Sequence, residues 1–168
     1  MIVFPDFYKG GYLDAEKTVT YYMQPLLDLC TPSPRAVSWM PRDATKLVGD
    51  DGEPLVRYRR LFGQAADLYK ESVHVQQIVT ASNRADAMQV SEFCRQMLTA
   101  VRNSYEVTYP MSDQSEPGRA AVIVCVEDAQ GPEVDIPVDF DERIVVSTFL
   151  VTIRRPTLPN YQQVVATL

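Results

Sequence analysis

Residues 143–155, RIVVSTFLVTIRR, decide the fold of this chain. Read as a strand, the stretch puts Val145, Phe149, Val151 and Ile153 on one side and Ile144, Val146 and Leu150 on the other, because successive side chains alternate. Both sides are apolar. A strand of that kind lies in the middle of a sheet or is covered on both faces. Its arginines, Arg143, Arg154 and Arg155, stand only at the ends, where a long cationic side chain reaches water or a carboxylate. The rest of the chain must supply its neighbours.

Working outward, four other stretches have strand character: AVSWM (36–40), LVRYRRLFG (55–63), ESVHVQQIVTA (71–81) and AAVIVCVED (120–128). In 71–81 the alternation places Val73, Val75 and Gln77 on one face and His74 on the other. Two segments change to a helical period. LDAEKTVTYYMQPLLDLC (13–30) carries Val19, Tyr22, Met23, Leu26, Leu27 and Cys30 as one stripe, with Asp14 as N-cap and Pro25 predicting a kink or break. SNRADAMQVSEFCRQMLTAVRN (82–103) lines up Ala87, Val90, Cys94, Met97, Leu98 and Val101, with Asn83 and Asp86 spaced as a capping box. TPSPR (31–35) is a rigid connector, and RDATKLVGDDGEP (42–54) and YPMSDQSEPGR (109–119) have loop chemistry.

The order helix, two or three strands, helix, two strands is not a strict βαβ alternation. It predicts an α+β domain: a mixed or antiparallel sheet of four to five strands with two main helices on one face. An apolar arm with Phe4 and Phe7 precedes the first helix. Residues 1–155 form one domain, and PTLPNYQQVVATL (156–168), with Pro156, Pro159 and Tyr161 but no helical period, reads as an extended arm. Arms of this kind lie on adjacent chains.

Bulk properties narrow the function. The chain has 168 residues, 46% apolar and 23% charged, which is an ordinary globular balance. No apolar run approaches the roughly 20 residues of a membrane span, and MIVFPDFYKGG lacks a secretory leader, so a soluble protein made in a cytosol is expected. Net charge is −6, from 22 acids and 16 bases. That argues against a surface devoted to phosphate backbone and leaves room for a local basic patch only. Cys30, Cys94 and Cys125 are far apart and odd in number, so they read as small buried apolar residues.

Catalytic constellations are missing from the sequence. His74 is the single histidine, set between two valines with no GxSxG or catalytic-cysteine signature near it, and reads as a satisfied, partly buried histidine. No ligand spacing for zinc is present, and GDDG at 49–52 runs into Glu53 and Pro54 where a phosphate loop needs a helix. EVDIPVDFDE (133–142) gathers Asp135, Asp139, Asp141 and Glu142, which could hold Mg²⁺ in a nuclease. A metal nuclease also wants a lysine or fixed base nearby, and this stretch has none. No catalytic residue, metal or cofactor is therefore assigned.

LVRYRRLFG then poses the remaining question, since it sets three arginines in a strand. Regular alternation puts Leu55, Arg57, Arg59 and Leu61 on one face and Val56, Tyr58, Arg60 and Phe62 on the other. Three readings fit Arg57 and Arg59. They decorate a solvated strand face, they meet the acidic 133–142 edge across a subunit boundary, or they touch nucleic acid.

The succession MIVFPD, DAEKTVTYYMQPLL, PSPR, LVRYRRLFG, NRADAMQVSEFCRQMLTAVR and GPEVDIPVDFDERIVVSTFLVTIRRP resembles tail terminator proteins of long-tailed, siphovirus-type phages, particularly those of actinobacteria. That family has a YLxPLL-like helix, a VRVRRxGG strand, a DRAEA-type helix and a closing strand ending in VTVRG or VTVRP. Here Phe62-Gly63 replaces the Gly-Gly, and NRADA replaces DRAEA; both keep their local roles as turn and N-cap.

The resemblance implies a structural virion protein. Its subunits, commonly six, close into a ring that caps the head-proximal end of the tail tube and stops its polymerisation. The ring then docks to the neck. Its partners are further copies, the tail tube protein and the head–tail connector; DNA only passes through, no membrane is involved, and assembly occurs in the host cytoplasm. A ring needs a head-to-tail interface, for which Arg57, Arg59, Arg60, Arg143, Arg154 and Arg155 on one side and Asp135, Asp139, Asp141 and Glu142 on the other are candidates. Other readings remain: a different connector or completion protein of the neck, a metal-dependent nuclease using Asp135, Asp139 and Glu142, or a host-encoded binding module.

Overall fold

The computed structural model describes residues 13–38, 53–65, 69–113, 116–134 and 144–154. Eight elements follow one another: α1 (Ala15–Leu27), β1 (Arg35–Val37), β2 (Leu55–Ala65), β3 (Lys70–Thr80), α2 (Arg84–Thr99), β4 (Tyr105–Thr108), β5 (Ala120–Val134) and β6 (Ile144–Arg154). The strands form one sheet in the order β1-β2-β3-β6-β5-β4, parallel between β1 and β2 and antiparallel elsewhere. The fold is α+β as expected, with six strands where four to five were predicted. The addition is β4, whose four residues YEVT are too short to show a period.

The strand that opened the reading is central. β6 pairs with β3 along its whole length and with β5 on its other side. Val145, Ser147, Phe149, Val151 and Ile153 are buried, while Ile144, Val146, Leu150 and Thr152 on the second face are half-buried. Both helices lie on the first face. α1 packs against β1, β2 and β4 and α2 against β3, β5 and β6, giving a single core that includes Val19, Met23, Leu27, Tyr58, Val75, Cys94, Leu98, Ile123 and Phe149. Each large apolar side chain sunk there contributes about 1.5–3 kcal/mol.

The helix termini follow their sequence signals. Asp14 accepts the amides of Glu16 and Lys17 at 2.9 and 3.4 Å. Asn83 Oδ1 accepts the Asp86 amide at 2.9 Å, and the Asn83 side-chain amide donates back to the Asp86 carboxylate at 2.7 Å. Pro25 does not break α1. The helix runs on to Leu27, so the proline sits in its last turn, and the Asp28 amide still reaches the Gln24 carbonyl.

Within the core runs a polar chain. The Tyr58 hydroxyl donates to Gln77 Oε1 at 3.3 Å, Gln77 Nε2 donates to the Ser91 hydroxyl at 3.1 Å, and the hydroxyls of Ser91 and Ser147 bond at 3.2 Å. All four residues are buried, so β2, β3, α2 and β6 are tied by groups that have little alternative to one another. A second tie joins α1 to the turn after β4. Asp113, buried, accepts from Lys17 Nζ at 3.1 Å, from the Tyr21 hydroxyl at 2.7 Å and from the Glu116 amide at 3.1 Å.

Candidate assembly surface

The sheet face turned away from the helices is built row by row from the strand registers. One row reads Arg57, Ile78, Val146, Glu133 across β2, β3, β6 and β5; the next reads Arg59, Gln76, Thr148, Gln130. A third reads Phe62, His74, Leu150, Glu127. Basic residues thus stand on the β2 flank and acidic ones on the β5 flank. Between them lies a half-buried middle of Ile78, Val146, His74 and Leu150. Adjacent strands are about 4.8 Å apart, so the two flanks are separated by roughly 14 Å.

The structure confirms that Arg57 and Arg59 share a face and corrects what accompanies them. A bulge between Arg60 and Phe62 shifts the β2–β3 register by one residue. A one-residue slip flips every later side chain. Arg60 therefore keeps the helix-side face, where its backbone N–H donates to the Glu16 carboxylate at 2.6 Å and its guanidinium to Glu71 at 2.7 Å. Phe62 crosses over and stacks on His74 with centroids 4.2 Å apart.

Among the described residues, two nitrogens on this face are buried without a hydrogen-bond partner: Arg57 Nε and His74 Nδ1. His74 is half-buried as expected, but it is not satisfied. An unpaired buried donor costs about 1–3 kcal/mol, so the face retains polar groups that the isolated subunit leaves unused.

Of the other predicted interface residues, Arg154 is exposed at the end of β6. Asp135, Asp139, Asp141, Glu142, Arg143, Arg155, Pro156, Pro159 and Tyr161 lie outside the described residues, as do Phe4, Phe7 and most of the 42–54 loop. Sequence reasoning missed Glu127 and Glu133 as members of the Arg57 face. β5 runs from Ala120 to Val134, well past the expected 128, and its register against β6 shifts three times. Those bulges destroy the alternation that would have shown the flank; Gly131 and Pro132 were the available signal.

Chemistry elsewhere is sparse. Among the described residues no three His, Cys, Asp or Glu side chains come together to hold a metal. All three cysteines are free: Cys94 is buried, with its thiol pushed up to about 12 by that burial, and Cys30 and Cys125 are half-buried. A cleft of about 300 Å³ lies between the Thr31–Pro34 connector and α2, lined by Cys30, Pro32, Pro54, Asp86 and Phe93. Its carboxylate, Asp86, is already committed to the α2 N-cap.

The described sheet thus has one face sunk into a core and the other half-covered between flanks of opposite charge. The chain belongs to the phage tail termination protein family, whose model matches residues 11–160. That span covers every described element, and it makes the chain a structural component of the phage tail and so of the virion. The nuclease reading gains no support from it. No curated protein matches the sequence. Among the described residues no helix is long and apolar enough to cross a membrane.

Proposed function

We propose that this chain is the ring-forming terminator of a long-tailed phage: six copies close on the head-proximal end of the tail tube, end its growth and join it to the neck. The family match supports the tail role. The ring rests on one observation, the opposite charge of the two flanks of the open sheet face, with Arg57 Nε buried and unpaired on the basic side.

In a head-to-tail arrangement the β2 flank of one subunit meets the β5 flank of the next, and the same joint repeats until the rotation closes. Arg57 and Arg59 then face Glu127, Glu133 and the acidic 135–142 segment of a neighbour. Charge complementarity of this sort fixes register and partner choice. The chain's overall acidity suits a channel that DNA traverses without being held. The tail tube and the connector are the partners above and below, and assembly takes place in the host cytoplasm.

The test is a pair of charge reversals read by sedimentation and by electron microscopy with tail tubes. The Arg57→Glu/Arg59→Glu chain stays folded and no longer forms rings; adding Glu127→Arg/Glu133→Arg restores them. Rings that survive the first change, or that the second fails to restore, overturn this joint.

A further inference from the structure

The open sheet face has a second end, away from the rows of Arg57 and Arg59. Beyond the row of Phe62, His74 and Leu150 comes Ser72 opposite Thr152, whose hydroxyls bond at 3.0 Å, and beyond that Lys70 opposite Arg154, at the start of β3 and the end of β6. Both cations are exposed, and neither forms an ion pair with a described residue. Residues directly opposite on antiparallel strands hold their Cβ atoms about 4.5–5.5 Å apart, and like charges so placed destabilise the pair. Glu71, next in the chain, points to the helix side and is taken by Arg60.

The apolar side of this end is also open. Phe62 is 59% exposed despite its stacking on His74, and His74 Nδ1 beneath it is buried without a partner. Cations and an exposed aromatic ring around an apolar row are what a protein interface concentrates. A nucleic acid fits worse, because it needs many clustered cations, gains little from Phe62 and Leu150, and meets a chain of net charge −6. The acids of this face do not serve from a neighbouring copy either. Glu127 stands in the Phe62 row and Glu133 in the Arg57 row, so in the proposed joint, where they come level with Arg57 and Arg59, they end four residues of strand, about 14 Å, short of Lys70.

We propose that this end of the open face docks an acidic segment of a protein other than this chain, its carboxylates on Lys70 and Arg154 and an apolar side chain on Phe62 and Leu150. The two rows lie about 14 Å apart, so an extended segment carries its acids about four residues from its apolar group. The surface belongs to the single subunit; the ring reading enters only in excluding a neighbouring copy as the occupant. Carboxylates brought to the two cations turn a repulsive cross-strand pair into a stabilised one, and covering Phe62 removes apolar surface from water.

Fluorescence anisotropy with the full chain tests this, the probe being a short dye-labelled peptide with an Asp-Glu pair about four residues from a Leu-Phe pair. An Asn-Gln version of the peptide and a short DNA duplex are the comparisons. The acidic peptide is expected to bind saturably and more weakly as salt rises, with the neutral version roughly two- to thirtyfold weaker. Lys70→Glu is the decisive variant, since it makes the cross-strand pair attractive: its urea midpoint rises, peptide binding is lost, and rings read by sedimentation form as in the parent. A parent that does not bind the acidic peptide, a Lys70→Glu chain that binds it as well as the parent, or a duplex bound more tightly than the peptide overturns the proposal. The ring reading fails separately, if the parent binds the peptide and forms no rings.

Discussion

Gln77→Met isolates the buried polar chain from the packing around it, because methionine keeps the length and nearly the volume of glutamine while losing both polar ends. Three hydrogen-bonding relations change. The Ser91 hydroxyl keeps Ser147, and the Ser91 carbonyl sits inside α2, so neither is stranded. The Tyr58 hydroxyl is: Gln77 Oε1 is its oxygen partner, and the Cys94 sulfur beside it is a weak acceptor. Its burial already pushes the Tyr58 phenol well above its ordinary value, a sign of how poorly this site solvates charge. Leaving one buried donor so placed costs about 1–3 kcal/mol. For a chain of this size that is a fall of roughly 2–4 °C in melting temperature per kcal/mol. Urea unfolding followed by circular dichroism measures the loss. The decisive comparison is with Tyr58→Phe/Gln77→Met, in which no hydroxyl is stranded. If the polar chain acts as described, the double variant is less destabilised than the two single changes added together. An additive cycle, or a Gln77→Met chain as stable as the parent, would refute the account.

Three further outcomes are expected. Asn83→Ala removes the cap of α2 and lowers stability by about 1 kcal/mol in the same urea assay, with Asn83→Asp retaining most of it. Under alkylation followed by mass spectrometry, Cys30 and Cys125 label in the folded protein while Cys94, buried and with its thiol at about 12, labels only on unfolding. Burial, followed by the Asp113 hydrogen bond and charge, holds the Tyr21 phenol at about 12 against an ordinary 10.0, so its share of stability is whole below pH 10 and is lost as pH rises through 12; Asp113→Asn narrows that window in a spectrophotometric titration.

Much of the fold was legible because its long elements have a strong period. The β6 segment declared itself central through two apolar faces, and β3 showed its inward row of Val73, Val75 and Gln77 in the sequence itself. The two caps, Asp14 and Asn83, were visible as residue types at fixed offsets from a helical stripe. What failed to show depended on one-residue irregularities. The bulge at Leu61 moved Phe62 to the Arg57 face, and three bulges in β5 hid Glu127 and Glu133, because a shift of one residue leaves composition unchanged and inverts direction. β4 was silent for another reason: four residues hold too few alternations to stand above a loop. The Pro25 expectation misjudged position, since a proline in a last turn forfeits less than one in mid-helix.

The same irregularities argue for assembly. A subunit selected only for its own stability would gain by replacing Arg57, whose buried Nε has no partner, and by filling the half-covered middle of the second face. This chain keeps both and keeps charges of opposite sign on either flank. Bulges in β2 and β5 add local twist and turn those flanks. Across the same face one guanidinium nitrogen, Arg57 Nε, is buried without a hydrogen-bond partner. That cost falls on the lone subunit, and in the proposed ring a neighbour's carboxylate would offset it.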